Sequence, residues 1–232
     1  MMRIDIISAV PQLLQSPLQH SIVGNARDDN LVDIHIHDLR DYSEEKHNKV
    51  DDYPYGGGAG MVLTPQPIFS CIEELQSQRE YDEIIFTSPD GEPFEQDSAN
   101  SLSLSKNLMF LCGHYKGVDQ RVIDALITKT YSIGDYVLSG GELPTLVMVD
   151  SIVRLLPGAL GDSESALTDS FQNENLLEGP VFTRPAEFKG MEVPKVLRSG
   201  DHQKVKEWRL EKSLERTKQV RPDIYKKFRN EQ

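Results

Sequence analysis

An α/β fold built on a parallel sheet, followed by a small, mainly α-helical C-terminal domain, is predicted by three features of this 232-residue chain. First, EIIF at 83–86 and NLMFL at 107–111 are nearly continuous apolar runs, the pattern of strands covered on both faces. Second, segments of helical spacing lie among the strand-like runs. Ile68, Ile72 and Leu75 share one face over residues 67–78, and Val118, Val122 and Leu126 share one over residues 118–127. Strands alternating with helices indicate helices packed on a sheet. Third, the formal charge of −12 is unevenly divided: residues 1–183 carry −18 and residues 184–232 carry +6. An acidic body with a basic tail leaves the tail as the candidate surface for a polyanion.

The remaining elements follow in chain order. RIDIISA at 3–9 and LVDIHI at 31–36 have the β-branched alternation of strands. Residues 143–156 form a strongly apolar helix candidate that Pro157-Gly158 stops. From 160 to 178 the chain is polar, rich in Ser, Asp and Asn, and without sustained periodicity, as a linker would be. Beyond it, HQKVKEWRLEKSLERTKQV at 202–220 spaces Val205, Trp208 and Leu214 along a charged helix, and Arg221-Pro222-Asp223 breaks it before a last short helix. The expected organisation is a main domain over 1–159, a flexible linker over 160–178 and a helical domain over 179–232.

Several functional classes can be set aside. Cys71 and Cys112 are far apart and no cluster offers four zinc ligands, so a reducing compartment is expected. The opening MMRIDIISAVPQLL is too short and too broken by Asp5 and Pro11 for a signal core, and no apolar run approaches ~18 residues, which predicts a soluble, cytoplasmic protein with no membrane partner. YGGGAGM at 55–61 has Met61 where a dinucleotide loop needs glycine, and no GxxxxGK[ST] motif occurs. Asp33, His35 and His37 share one strand face, but without further ligands they read as exposed strand residues, not a metal site.

Three glycine-bearing turns follow the apolar strands: SPDGE at 88–92, CGHYKG at 112–117 and IGDYVLSGGELP at 133–144. Open α/β sheets bind ligands outside the carboxyl ends of their strands, where such turns bring backbone amides close to a ligand. The order of VDDYPYGGGAGMVL, SPDGE, LCGHYKGVD, IGDYVLSGGELP, SIVRLLPG, LTDSF, TRPAEFKGMEVPKVLRSGDH and EWRLEKSLERT resembles that of the bacterial tRNA (guanine-N1)-methyltransferases, from Met2 to the C-terminus.

The resemblance implies a SPOUT-class methyltransferase domain with a deep trefoil knot, working as a homodimer. The implied reaction moves a methyl group from S-adenosylmethionine to N1 of the tRNA guanine immediately 3′ of the anticodon, which maintains the reading frame. Carried over by motif, Gly113 with Ile133, Gly134, Asp135, Tyr136, Val137 and Leu138 would hold the donor, and Pro89, Gly140, Gly141 and Pro144 would shape the pocket. Asp169 of LTDSF would be the general base, and Arg154 of SIVRLLPG the cation near guanine O6. Residues 160–178 would close over a flipped guanine once tRNA docks. The match departs at CGHYKG, where many family members carry Arg and Glu in CGRYEG; no metal site is therefore transferred, and Lys116 is expected to face RNA phosphate. A knotted RNA methyltransferase with another target, or a catalytically silent RNA-binding protein, are the alternatives.

Overall fold

The computed structural model describes residues 1–161, 169–172 and 176–230. They fall into two compact units, Met1–Gly161 and Asp162–Gln232. Much of the segment expected to close over the substrate, residues 162–168 and 173–175, lies outside the described residues.

The first unit is organised by a five-stranded sheet in the order β2-β1-β6-β5-β7, parallel throughout. Its strands are β1 (Met2–Ser8), β2 (Val32–Asp38), β5 (Glu83–Pro93), β6 (Asn107–Cys112) and β7 (Lys129–Ser132), while β3 (Asp51–Asp52) and β4 (Val62–Leu63) form a separate antiparallel pair. Helices α1 (Gln12–Gln15), α2 (Ser21–Asp28), α3 (Pro65–Gln78), α4 (Gln96–Leu102), α5 (Gln120–Leu126) and α6 (Glu142–Val153) cover it. β6 shows why the central strands read as unbroken apolar runs. Leu108, Phe110 and Cys112 face a core completed by Met148, Val149, Ile152 and Val153 of α6. Met109 and Leu111 face the other core, completed by Ile68, Cys71, Ile72 and Leu75 of α3 and Val122 of α5. Alternate side chains point to opposite faces, so a strand between two helical layers has no face left for polar residues.

SPDGE departs from its expected role as a turn leaving the sheet. β5 continues through it to Pro93, and its pairing with β7 shifts register between Thr87 and Glu92, both of which oppose Tyr131. The extra residues bulge out while the strand resumes beyond them. Nothing in the local composition separates a bulge from a turn, because both favour Pro, Asp and Gly.

His37 also differs from the exposed strand residue expected of it. Its Nε2 lies 2.7 Å from Oδ1 of Asp5, a carboxylate on β1 that is fully buried. Asp5 also accepts two hydrogen bonds from Arg3 and one from Tyr81 Oη, each at 2.8 Å. Arg3 reaches on to Asp33, which pairs with His35. Burial works against the charged form of Asp5, but the bonds from His37, Arg3 and Tyr81 outweigh it and hold the carboxyl well below the usual range. His37 sits on the edge strand, and only the fold brings Tyr81 and β1 to the same point.

The second unit contains the hairpin β8 (Glu187–Phe188) and β9 (Met191–Glu192), then α7 (His202–Val220) and α8 (Pro222–Asn230). Asp201 caps α7 by accepting from the Lys204 N–H at 3.2 Å, and Pro222 opens α8, where its missing N–H costs nothing. Val205, Trp208 and Leu214 are half-buried along α7, and the Phe182 ring lies 6.3 Å from that of Trp208. Thr217, fully buried, accepts from the Leu177 N–H at 3.0 Å, while Ser213 donates to the Leu177 carbonyl at 2.6 Å. These two side chains give the incoming strand-like segment the backbone partners a sheet would otherwise supply.

The Asp5 network yields a stability prediction. Because the folded carboxyl releases its proton more readily than the unfolded one, its stabilisation is complete above an unfolded value of about 3.9 and is lost as pH falls towards the lower folded value. Asp5→Asn is expected to cost roughly 3 kcal/mol at neutral pH by leaving Arg3 and its partners without their charge. Urea denaturation at pH 3–7 tests this: the variant should be weaker at pH 7 and should lose less stability than the wild type on acidification.

Candidate active site

At the carboxyl edge of the sheet, the loops after β6 and β7 and the bulge of β5 enclose a cleft of about 170 Å³. Pro89, Gly113, Ile133, Gly134, Tyr136, Val137, Leu138, Gly140, Gly141 and Pro144, all expected from the sequence, line it. Asp135 belongs to the same loop but is not part of the lining.

The cleft is made largely of main chain. The Gly141 N–H donates to the Gly113 carbonyl at 2.7 Å, and His114 and Gly140 form an isolated antiparallel bridge beside it. A Cβ on Gly141 would strike Thr87 Oγ1 and come within 2.7 Å of the Gly113 nitrogen, so the passage admits only glycine. In the loop after β7, Gly134 has φ +147°, and its N–H is received by Ser132 Oγ at 3.2 Å. The Gly134 carbonyl accepts from the Tyr136 N–H at 2.9 Å, completing a compact turn. That turn leaves apolar surface in the open: Tyr136 is 55 % exposed and Val137 85 %. On the far side, Lys116 N–H donates to the Met61 carbonyl and Leu63 N–H to the Gly117 carbonyl, tying the CGHYKG loop to the end of the glycine-rich segment.

Among the described residues the lining carries no carboxylate, and its formal cation is Lys116. Behind it lies a group that the sequence did not single out. Glu142, in the first turn of α6, is 1 % exposed, and its Oε1 accepts from Ser8 Oγ at 2.6 Å. An acid in a first helical turn looks like a favourable dipole partner and no more; only the sheet brings Ser8 to it. Arg154 is the half-buried C-cap of α6. Asp169 is half-buried in the second unit, where its carbonyl accepts from the Gln172 N–H at 3.3 Å.

No group of three or more His, Cys, Asp or Glu suited to a metal ion occurs among the described residues. No helix among them is long and apolar enough to cross a membrane.

A family model for tRNA (Guanine-1)-methyltransferase TrmD matches residues 2–227. The chain belongs to this family. The tRNA (guanine-N(1)-)-methyltransferase of Christiangramia forsetii is 59% identical to it over 223 residues, covering 96% of this chain and 98% of the relative. Those of Bacteroides fragilis strain YCH46 and Chlorobaculum tepidum are 58% and 55% identical over the same length, covering 99% and 96% of the relatives. The matched residues span both units.

The contact at Gly141 can be tested in this tRNA (guanine-1)-methyltransferase family member by adding a single carbon. Gly141→Ala should destabilise the protein by about 1–3 kcal/mol through overpacking, read as a lowered urea midpoint. An unchanged midpoint would mean that the loop yields easily.

Proposed function

We propose that this protein transfers a methyl group from S-adenosylmethionine to N1 of the tRNA guanine immediately 3′ of the anticodon, as an enzyme that maintains the reading frame. The observation carrying this is the main-chain cleft at the sheet's carboxyl edge, held open at Gly113, Gly134 and Gly141, in a chain of this family. Backbone amides and carbonyls exposed by glycines can read the edge of an adenine, and the apolar side chains Val137, Leu138 and Pro144 in the lining offer its faces a dry wall.

The proposed chemistry needs two further groups. Asp169 takes the N1 proton of guanine as the N1 electron pair forms the new N–C bond. The methyl–sulfur bond breaks in line, and its electron pair leaves on sulfur as a neutral thioether. Arg154 stabilises the negative charge that gathers on O6. The basic stretch 184–232 is the proposed docking surface for tRNA phosphates. Its groove, lined by Arg184, Arg198 and Arg209 beside Phe182 and Val205, supports that reading by its charge.

The finer architecture is proposed on the same footing: a deep trefoil knot of the SPOUT kind in a domain over 1–159, a linker over 160–178, a tRNA-binding domain over 179–232, and a cytoplasmic homodimer. The tight passage of Gly141 against Thr87 and Gly113 is the kind of close threading such a knot requires, and the exposed Val137 is apolar surface a partner subunit could cover.

Methyl transfer to tRNA transcripts carrying guanine or adenine after the anticodon tests the reading; only the guanine transcript should be methylated. Asp169→Ala should abolish transfer, by at least a factor of about 10² for loss of a general base, while calorimetry finds donor binding nearly unchanged. Near-normal turnover would remove Asp169 from that role. Lys116→Ala should make the salt dependence of tRNA binding shallower by about one unit of log–log slope; an unchanged slope would place Lys116 away from phosphate.

A further inference from the structure

The ligand proposed for the cleft bears a sulfonium cation, and the spent ligand is an uncharged thioether. A site that must hold the first and release the second needs negative potential at the sulfur. The described lining provides the opposite: Lys116 is its formal cation, and no carboxylate reaches the surface.

The buried carboxylate of Glu142 stands directly behind that lining. Ser8 Oγ fixes Oε1 at 2.6 Å. Oε2 lies so close to Gly140 that a Cβ there would collide with it, and it is 3.9 Å from His114 Nδ1. Gly140 and His114 both form the wall of the cleft. The separation from Nδ1 exceeds hydrogen-bond range, and Nδ1 is buried with no hydrogen-bond partner among the described atoms. The charge on Oε2 is therefore not spent on a direct bond to His114. With 1 % of Glu142 exposed, water and salt screen it far less than they would a surface acid. Burial pushes the nearby Cys112 thiol up, and the Glu142 charge acts in the same direction.

We propose that Glu142 is the charge-selecting residue of the cleft, acting through the wall formed by Gly140 and His114 to favour a sulfonium-bearing ligand over its thioether product. This rests on the donor-cleft reading above. A purely structural Glu142, which only ties β1 to α6 through Ser8, would affect both ligands alike, and that difference makes the two roles separable.

The experiment measures Kd for S-adenosylmethionine and S-adenosylhomocysteine by calorimetry on the full-length wild type, Glu142→Gln and Ser8→Ala. Glu142→Gln should weaken the sulfonium ligand roughly tenfold, a modest charge–charge interaction acting through the protein wall without direct contact, and the thioether less than twofold. Ser8→Ala keeps the charge and should leave the ratio of the two constants unchanged. Equal weakening of both ligands by Glu142→Gln overturns the proposal alone; failure of the wild type to bind either ligand overturns the donor-cleft reading and the proposal with it. If Glu142→Gln does not fold, the wild type still decides the matter. It should bind an analogue with an ammonium in place of the sulfonium about tenfold more tightly than the thioether, and equal affinity for the two overturns the selection.

Discussion

The hydrogen bond from the Gly141 N–H to the Gly113 carbonyl, 2.7 Å long, is the contact on which the site depends. It joins the loops after two strands that lie on opposite sides of β5 in the sheet, and it can form only because position 141 has no Cβ. Once the two loops are joined, α6 starts at a fixed place, with its first turn against the end of β1 through Ser8 and Glu142 and its last turn ending at Arg154. A packing constraint of a few atoms thereby sets both the shape of the cleft and the position of a candidate functional cation.

The sheet can hold this geometry because both of its faces are sealed. Interiors packed at crystal-like density transmit displacement poorly absorbed elsewhere, and β6 is buried from Leu108 to Cys112. The polar groups admitted to this interior are handled in one manner. Asp5, Ser8 and Glu142 are each buried and each held by hydrogen bonds to elements distant in sequence. Such groups are costly unless satisfied, so each one also pins the elements it joins.

Much of this was legible from composition and spacing. α7 runs from His202 to Val220, as its pattern indicated, because an Asp cap before it and a proline after it mark both ends chemically. The central strands were legible because two-sided burial leaves no choice of residue. The rest depended on partners that no local window contains. Ser8 and Glu142 are 134 positions apart, and Asp5 and Tyr81 are 76 apart, so nothing local marked Glu142, and His37 read as a surface residue. The two-residue strands β3 and β4 are too short to show a period, and the bulge in β5 uses the same residues as a turn. The lining glycines came from family motifs, whereas the reason position 141 must be glycine came from three-dimensional proximity to Thr87 and Gly113.

A cleft walled by main chain has an evolutionary corollary. Substitution changes side chains and leaves peptide groups where they are, so the surface at Gly113, Gly134 and Gly141 is shielded from the ordinary currency of variation. An inhibitor anchored to those peptide groups would leave resistance few routes, since the direct one, adding bulk at the contact, would have to displace the neighbouring Thr87 and Gly113 as well.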